Sequence, residues 1–199
     1  MSKVKVPRKS TVVDMTAMTD VAFLLLTFFM LATKFKPDEP VTVTTPSSIS
    51  EIKLPETDIL LLTIDKDSRV FFAMDGESNR LSLLDKMAEK YQLTFNDKQK
   101  KEFSLLSSFG VPVKNLGQYL DLDAEGRKKF AQTGIPSDST NNELADWVLQ
   151  ARFTNKALRV AVKGDQNAGF PVVKQVIATL QDKKVDRFNF ITSLEKAED

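Results

Sequence analysis

The sequence predicts a small α/β (α+β) domain with a mixed sheet and a helical insertion, preceded by one N-terminal transmembrane helix. Three observations carry this prediction. Met15 to Thr33 is a run of 19 residues with a single charge, Asp20. Two short apolar runs, Ile59–Ile64 and Val70–Met74, flank a turn-forming Asp65-Lys-Asp-Ser68. The chain then closes on a strand–helix–strand pattern between Leu158 and Ile191.

In the first run, Val21 to Ala32 holds only Thr27 as a polar member. A helix of this length rises roughly 28 Å, close to the hydrocarbon thickness of a bilayer. Lys34 and Lys36 follow at once and can snorkel to the headgroups. Lys3, Lys5, Arg8 and Lys9 precede the span, against two lysines after it up to Ser50. That excess puts the N-terminus in the cytoplasm and most of the chain on the other side. The chain therefore divides into a cytoplasmic segment 1–12, a transmembrane helix 13–34 and an extended linker 35–58. An α/β domain 59–194 and a tail 195–199 follow. Pro37, Pro40, Pro46 and Pro55 mark the linker. Within it Val41-Thr-Val-Thr44 alternates, as a strand does when a partner offers an edge.

The two apolar runs read as a β-hairpin closed by Asp75-Gly76. Residues 80–156 form the helical insertion. Leu81–Tyr91 has helical spacing, and 95–107 is a second helix. Thr140-x-x-Glu143 reads as a capping box opening a third, with Leu144, Trp147 and Val148 on one face. Gly110, Pro112, Gly117, Gly134 and Pro136 punctuate loops between them. At the end, Leu158–Val162 is a strand and Pro171–Leu180 a helix with proline in its first turn. Val173, Ile177 and Leu180 are its expected buried stripe, and Arg187–Ile191 is the next strand. The three make a βαβ unit with a right-handed crossover.

Composition excludes several functions. The net charge of +1 offers no concentrated basic face for nucleic acid. Cysteine is absent, which removes disulfides and thiolate chemistry. Histidine is absent too, which removes Ser-His-Asp and Cys-His nucleophile systems and nearly every zinc site. The expectation is a protein without enzymatic activity, metal or cofactor. Lys98, Lys100, Lys101 and Glu102 read as a solvated helix face, and so do Arg127, Lys128 and Lys129. Gly164-Asp165-Gln-Asn-Ala-Gly169 has a loose likeness to a phosphate loop but lacks the Lys-Ser/Thr ending, so it reads as a strand-to-helix turn. Trp147 reads as a core residue.

Asp20 is the candidate functional residue. A carboxylate inside a membrane helix costs roughly 2.5–3.5 kcal/mol on insertion scales. Such a group normally faces a partner helix or a water-filled path. A carboxyl group that is neutral when dry and charged when wet can carry an ion. Thr16, Asp20 and Thr27 are offset by four and seven residues, which puts them on one helix face. That face can line an ion path or serve as a helix-packing seam. A second reading makes Asp20 interfacial, so that the apolar core starts at Val21 and resembles the apolar region of a signal peptide. Met30-Leu31-Ala32 is a poor cleavage site, and Asp14 and Asp20 are unusual before such a region. On residues alone both readings stay open.

Asp14-Met-Thr-Ala-Met-Thr-Asp20-Val-Ala-Phe-Leu-Leu-Leu-Thr-Phe-Phe-Met30 resembles the membrane motif of the ExbD/TolR biopolymer-transport family. That motif has Asn or Asp, Thr two residues on, commonly Pro next, and an Asp opening the apolar run. Asp20 falls on the family's ion-translocating Asp and Thr16 on its Thr, while Ala17 stands where Pro is usual. Leu158–Asp165, Phe170–Leu180 and Val185–Thr192 resemble the family's closing βαβ segment. Phe103–Pro112 and Asp138–Trp147 resemble a long-insert ExbD subgroup. The resemblance implies a single-pass inner-membrane protein with a periplasmic α/β domain. It further implies a homodimer threaded through a ring of polytopic ExbB/TolQ-like subunits. Asp20 would load and release protons, with motion passed to a TonB-like partner that drives outer-membrane transport. A membrane-anchored binding module is the second reading. Its helix is only a tether and its domain takes peptidoglycan or another envelope protein.

Overall fold

The computed structural model describes residues 15–32, 43–44, 47–48, 57–138, 140–185, 188–191 and 193–194. Segment 1–12, Lys34 and Lys36, most of the linker 35–58 and the tail 195–199 lie outside the described residues. The chain divides into two compact units, Met1–Pro37 and Asp38–Asp199. The first contains helix α1, Met15–Ala32.

The second unit is built on a four-stranded mixed sheet. Its strands are β2 (Ile59–Ile64), β3 (Val70–Met74), β4 (Arg159–Gly164) and β5 (Phe188–Ile191), in the order β3-β2-β4-β5. A two-residue strand β1 (Ser47–Ser48) pairs in parallel with β6 (Ser193–Leu194). In β2 the side chains alternate, and Leu60, Leu62 and Ile64 are buried. β2 and β3 form the expected antiparallel hairpin, with Leu62 opposite Phe72. Its turn is held by Asp65, which is 1 % exposed and accepts from the Arg69 backbone N–H and Nε, each at 2.7 Å. β4 runs parallel to β2, and β5 parallel to β4. The helix between them, α7 (Phe170–Asp182), has Pro171 in its first turn. Its buried residues are Val176, Thr179 and Leu180, with Val172 and Val173 against the core. The expected stripe is thus corrected at Ile177, which is only partly buried, because the sheet meets the face one residue earlier.

Among the described residues the insertion contains five helices, more than the sequence predicts. They are α2 (Glu77–Tyr91), α3 (Asp97–Leu105), α4 (Val113–Asp121), α5 (Ala124–Lys129) and α6 (Glu143–Thr154). Pro112 and Gly117, expected in loops, are the N-cap and the middle of α4. Proline costs nothing at a helix start, where its missing N–H has no partner to lose. Burial of Val113, Leu116, Tyr119 and Leu120 carries the helix past its glycine.

The expected capping box at Thr140 is also corrected. The N-cap of α6 is Asn142, whose side chain accepts from Ala145 N–H at 2.9 Å. Glu143 instead turns inward, and its carboxylate accepts from the buried Val113 N–H at 2.8 Å. It therefore satisfies an orphan amide at the start of α4. A capping box is present at α3, where Asn96 and Gln99 exchange bonds of 2.7 and 3.0 Å.

The insertion seals the outer edge of β3. Phe72 and Phe109 exchange backbone bonds of 2.8 and 3.0 Å, and Ile135 N–H donates to Val70 at 2.8 Å. Gly110 permits this approach, since a Cβ there would lie 2.5 Å from the Phe71 ring. Trp147 is fully buried against Phe72, Phe103 and Phe109, with ring centroids 4.9–6.1 Å away. Its core reading holds.

Replacing Glu143 by Ala leaves the Val113 amide buried without an acceptor. We expect a loss of about 1–3 kcal/mol in urea unfolding. Glu143→Gln keeps an acceptor and loses less. Thr140→Ala should change stability by less than about 0.5 kcal/mol.

Candidate functional site

Helix α1 spans about 27 Å along its axis. No residue of it is buried, and Leu31 is 88 % exposed. Val21, Phe23, Leu24, Leu25, Leu26, Phe28 and Phe29 also lie open. Apolar side chains all round a helix require a cover of lipid or partner helices. The composition and length suit a membrane span near the N-terminus.

Asp20 is the one charged residue of α1. It lies five residues in from Met15, roughly 7.5 Å along the axis, and about 18 Å remain to Ala32. Among the described residues it has no hydrogen-bond or ion-pair partner. The Thr27 hydroxyl donates to Leu24 C=O at 2.9 Å. Thr19, which the sequence reading did not single out, donates to Met15 C=O at 2.6 Å and lies 3.0 Å from Thr16 C=O. Turning hydroxyl hydrogens onto the helix's own carbonyls is how threonine enters an apolar helix. It leaves oxygen lone pairs pointing outward from Thr19 and Thr27. Thr16, Asp20 and Thr27 stay on one uninterrupted helix, so their shared face persists. The hydroxyl beside the charge was the available signal for Thr19.

Other charged groups close on one another. Lys100 pairs with Asp85 at 2.8 Å, and Arg127 with Glu102 at 2.5 Å. The Arg127 side chain is only 14 % exposed, which corrects its reading as a solvated residue. A cleft of about 250 Å³ opens between Ser68, Pro112, Thr133, Ser137 and Gln175. Arg69, on its wall, is committed to Asp65, Asp67 and the Gln132 carbonyl. Among the described residues no group of three or more acidic side chains can hold a metal ion.

The Gly164–Gly169 segment is a strand-to-helix turn. Asp165 accepts from Asn167 N–H at 2.8 Å and from Thr44 N–H at 2.9 Å. Those two amides, the Asn167 bond first, hold its carboxyl below the usual aspartate range, and Lys66 adds to the effect. The ionised form makes the bonds, so their contribution is complete above the ordinary aspartate value. It fades as pH falls through the lowered one.

Two outcomes follow. The stability difference between the wild type and Asp165→Asn should stay constant from about pH 7 to pH 5 and shrink only below about pH 4. Urea titrations across pH measure it. Alkaline carbonate should leave the full chain in the membrane pellet, whereas a chain with Asp20, Phe23, Leu25 and Phe28 all changed to Lys should be released.

The sequence matches the family described as biopolymer transport protein ExbD/TolR over residues 7–195, nearly the whole chain. No curated protein and no solved structure matches it. The chain therefore belongs to the ExbD/TolR family, a non-enzymatic family whose members act in energy transduction for biopolymer transport, in membrane complexes with ExbB/TolQ-like partners.

Proposed function

We propose that this chain is the small subunit of an ion-motive-force-driven motor in which Asp20 carries the ion. In this reading the motor couples proton flow across the inner membrane to TonB-dependent outer-membrane transport. One observation carries the proposal: a single carboxylate, without a hydrogen-bond or ion-pair partner among the described residues, stands in an exposed helix whose other polar side chains are all threonines. Asp20 takes up a proton where water reaches it and is then neutral enough to face hydrocarbon or a partner helix. It gives the proton up on the other side. Each charge moved through 100 mV releases about 2.3 kcal/mol, so a few coupled transfers can drive a conformational step. Thr16 and Thr27 line the same face and offer oxygen atoms along the path.

Family membership and the charge asymmetry support the remaining parts of this reading. The N-terminus lies in the cytoplasm and the α/β domain in the periplasm. Two copies thread their α1 helices through a ring of ExbB/TolQ-like subunits. The domain hands the motion to a TonB-like protein, and peptidoglycan is a further candidate contact.

Asp20→Asn should accumulate, insert and co-purify with its polytopic partner at wild-type levels, while energy-dependent uptake of a TonB-dependent substrate falls to background. Uptake at the wild-type rate would remove the carrier role. Replacing residues 11–33 by an unrelated transmembrane helix separates motor from tether, since a mere tether keeps its function.

A further inference from the structure

The linker is not free along its whole length. Thr44 makes two backbone-level contacts with the turn that follows β4. Its N–H donates to the Asp165 carboxylate at 2.9 Å, and its C=O accepts from Gln166 N–H at 2.9 Å. The same carboxylate is fixed in place from its other oxygen by Asn167 N–H at 2.8 Å. Asp165 N–H donates to Ile64 C=O at 2.8 Å, so the turn is itself bonded to the end of β2. Three residues beyond Thr44, Ser47 and Ser48 pair with Ser193 and Leu194. All of these attachments lie at the carboxyl ends of the parallel strands β2, β4 and β5 or just beyond them.

We infer that Asp165 is a docking residue that fastens the tether to the carboxyl end of the sheet, so that displacement of α1 enters the domain at the β4–α7 turn and not first at Ile59. A charged acceptor suits this task. Hydrogen bonds to a carboxylate are shorter and stronger than neutral ones. The attachment point sets the working length of the tether. From Ala32 to Thr44 is twelve residue steps, at most roughly 42 Å when extended. From Ala32 to Asp58 it would be twenty-six, at most roughly 90 Å. Fastening at Thr44 takes up more than half of that slack. It also delivers force to β4, a central strand, through a turn bonded to β2, the other central strand.

The exchange arm of the test is independent of the motor reading, and the activity arm rests on it. In hydrogen–deuterium exchange on the full chain in mild detergent, the Thr44 and Gln166 amides should exchange at least tenfold more slowly than an unstructured peptide. Asp165→Ala should abolish that protection at Thr44 while Val160–Lys163 stay protected, which shows that the sheet is intact. Unprotected Thr44 and Gln166 amides in the wild type would overturn the inference. Because the chain has no cysteine, Thr44→Cys with Gln166→Cys can form only one intramolecular disulfide. If the fastened state is the working one, the oxidised pair keeps energy-dependent uptake within about twofold of its reduced form. Loss of uptake on oxidation, restored by reductant, would overturn the force-entry claim. Failure of the motor reading shows separately, as wild-type uptake by Asp20→Asn.

Discussion

Asp20 meets no cation and no hydrogen-bond donor among the described residues, so its charge has to be answered from outside its own helix. The size of that demand can be judged. A central carboxylate costs roughly 2.5–3.5 kcal/mol on the insertion scale. The eight Val, Phe and Leu residues between Val21 and Leu31 return about 0.3–0.6 kcal/mol each, roughly 2.5–5 kcal/mol together. The span can therefore carry the acid, the more easily because Asp20 lies roughly 7.5 Å from the amino end of the helix and not at its centre. The threonines do not relieve it, since Thr19 and Thr27 give their hydrogens to backbone carbonyls. A group that the helix tolerates but does not satisfy needs a partner or water from outside that helix. A purely structural anchor would be more stable with leucine there, which supports the ion-carrier reading proposed for Asp20.

The α/β domain faces a different constraint: it must accommodate a long insertion without disturbing the central β2–β4 pair. The two feet of the insertion are bonded to adjacent residues. Asp75 N–H donates to Ile59 C=O at 2.9 Å, and Arg159 N–H donates to Asp58 C=O at 2.8 Å. Asp58 also accepts from the Asn155 side chain at 2.6 Å and donates its own N–H to the Asp75 carboxylate at 3.1 Å. It adopts a left-handed φ of 58°, a conformation that aspartate tolerates better than most residues. The insertion thus leaves and re-enters the sheet at one point, and its helices close over the aromatic cluster around Trp147.

Much of this was legible in the residues. Two short apolar runs around a turn-forming Asp65-Lys-Asp-Ser68 marked β2 and β3, and a proline-started helix between two apolar strands marked the βαβ unit. Each is a local signal backed by burial. The misreadings came where one residue type serves two purposes. Pro112 and Gly117 break helices in general, yet proline fits an N-cap and a buried face outweighs one glycine. Thr140-x-x-Glu143 has capping-box spacing, but Glu143 is drawn to the Val113 amide, 30 residues away in sequence, and Asn142 takes the cap. Asp20 stood out because a charge in an apolar run is a local anomaly. Asp165 did not, because its partner Thr44 is 121 positions away and no periodicity reports such a pair.

The parallel direction of β2 and β4 ties these features together. Their amino ends hold the feet of the insertion, at Asp58, Ile59 and Arg159. At their carboxyl ends the turn after β4, itself bonded to Ile64, holds Thr44 through Asp165 and Gln166. Two paired parallel strands point the same way, so the two attachments fall at opposite ends of the sheet by topology alone. A change in the insertion's length alters what leaves Asp75 and returns at Arg159, and it leaves the tether's bonds untouched. The sealed outer edge of β3 has the same effect, since the insertion's strand-like contacts at Phe109 and Ile135 fall on the side of the sheet away from β5. The feet of the insertion and the bonds of Thr44 are thereby kept at opposite ends of the β2–β4 pair.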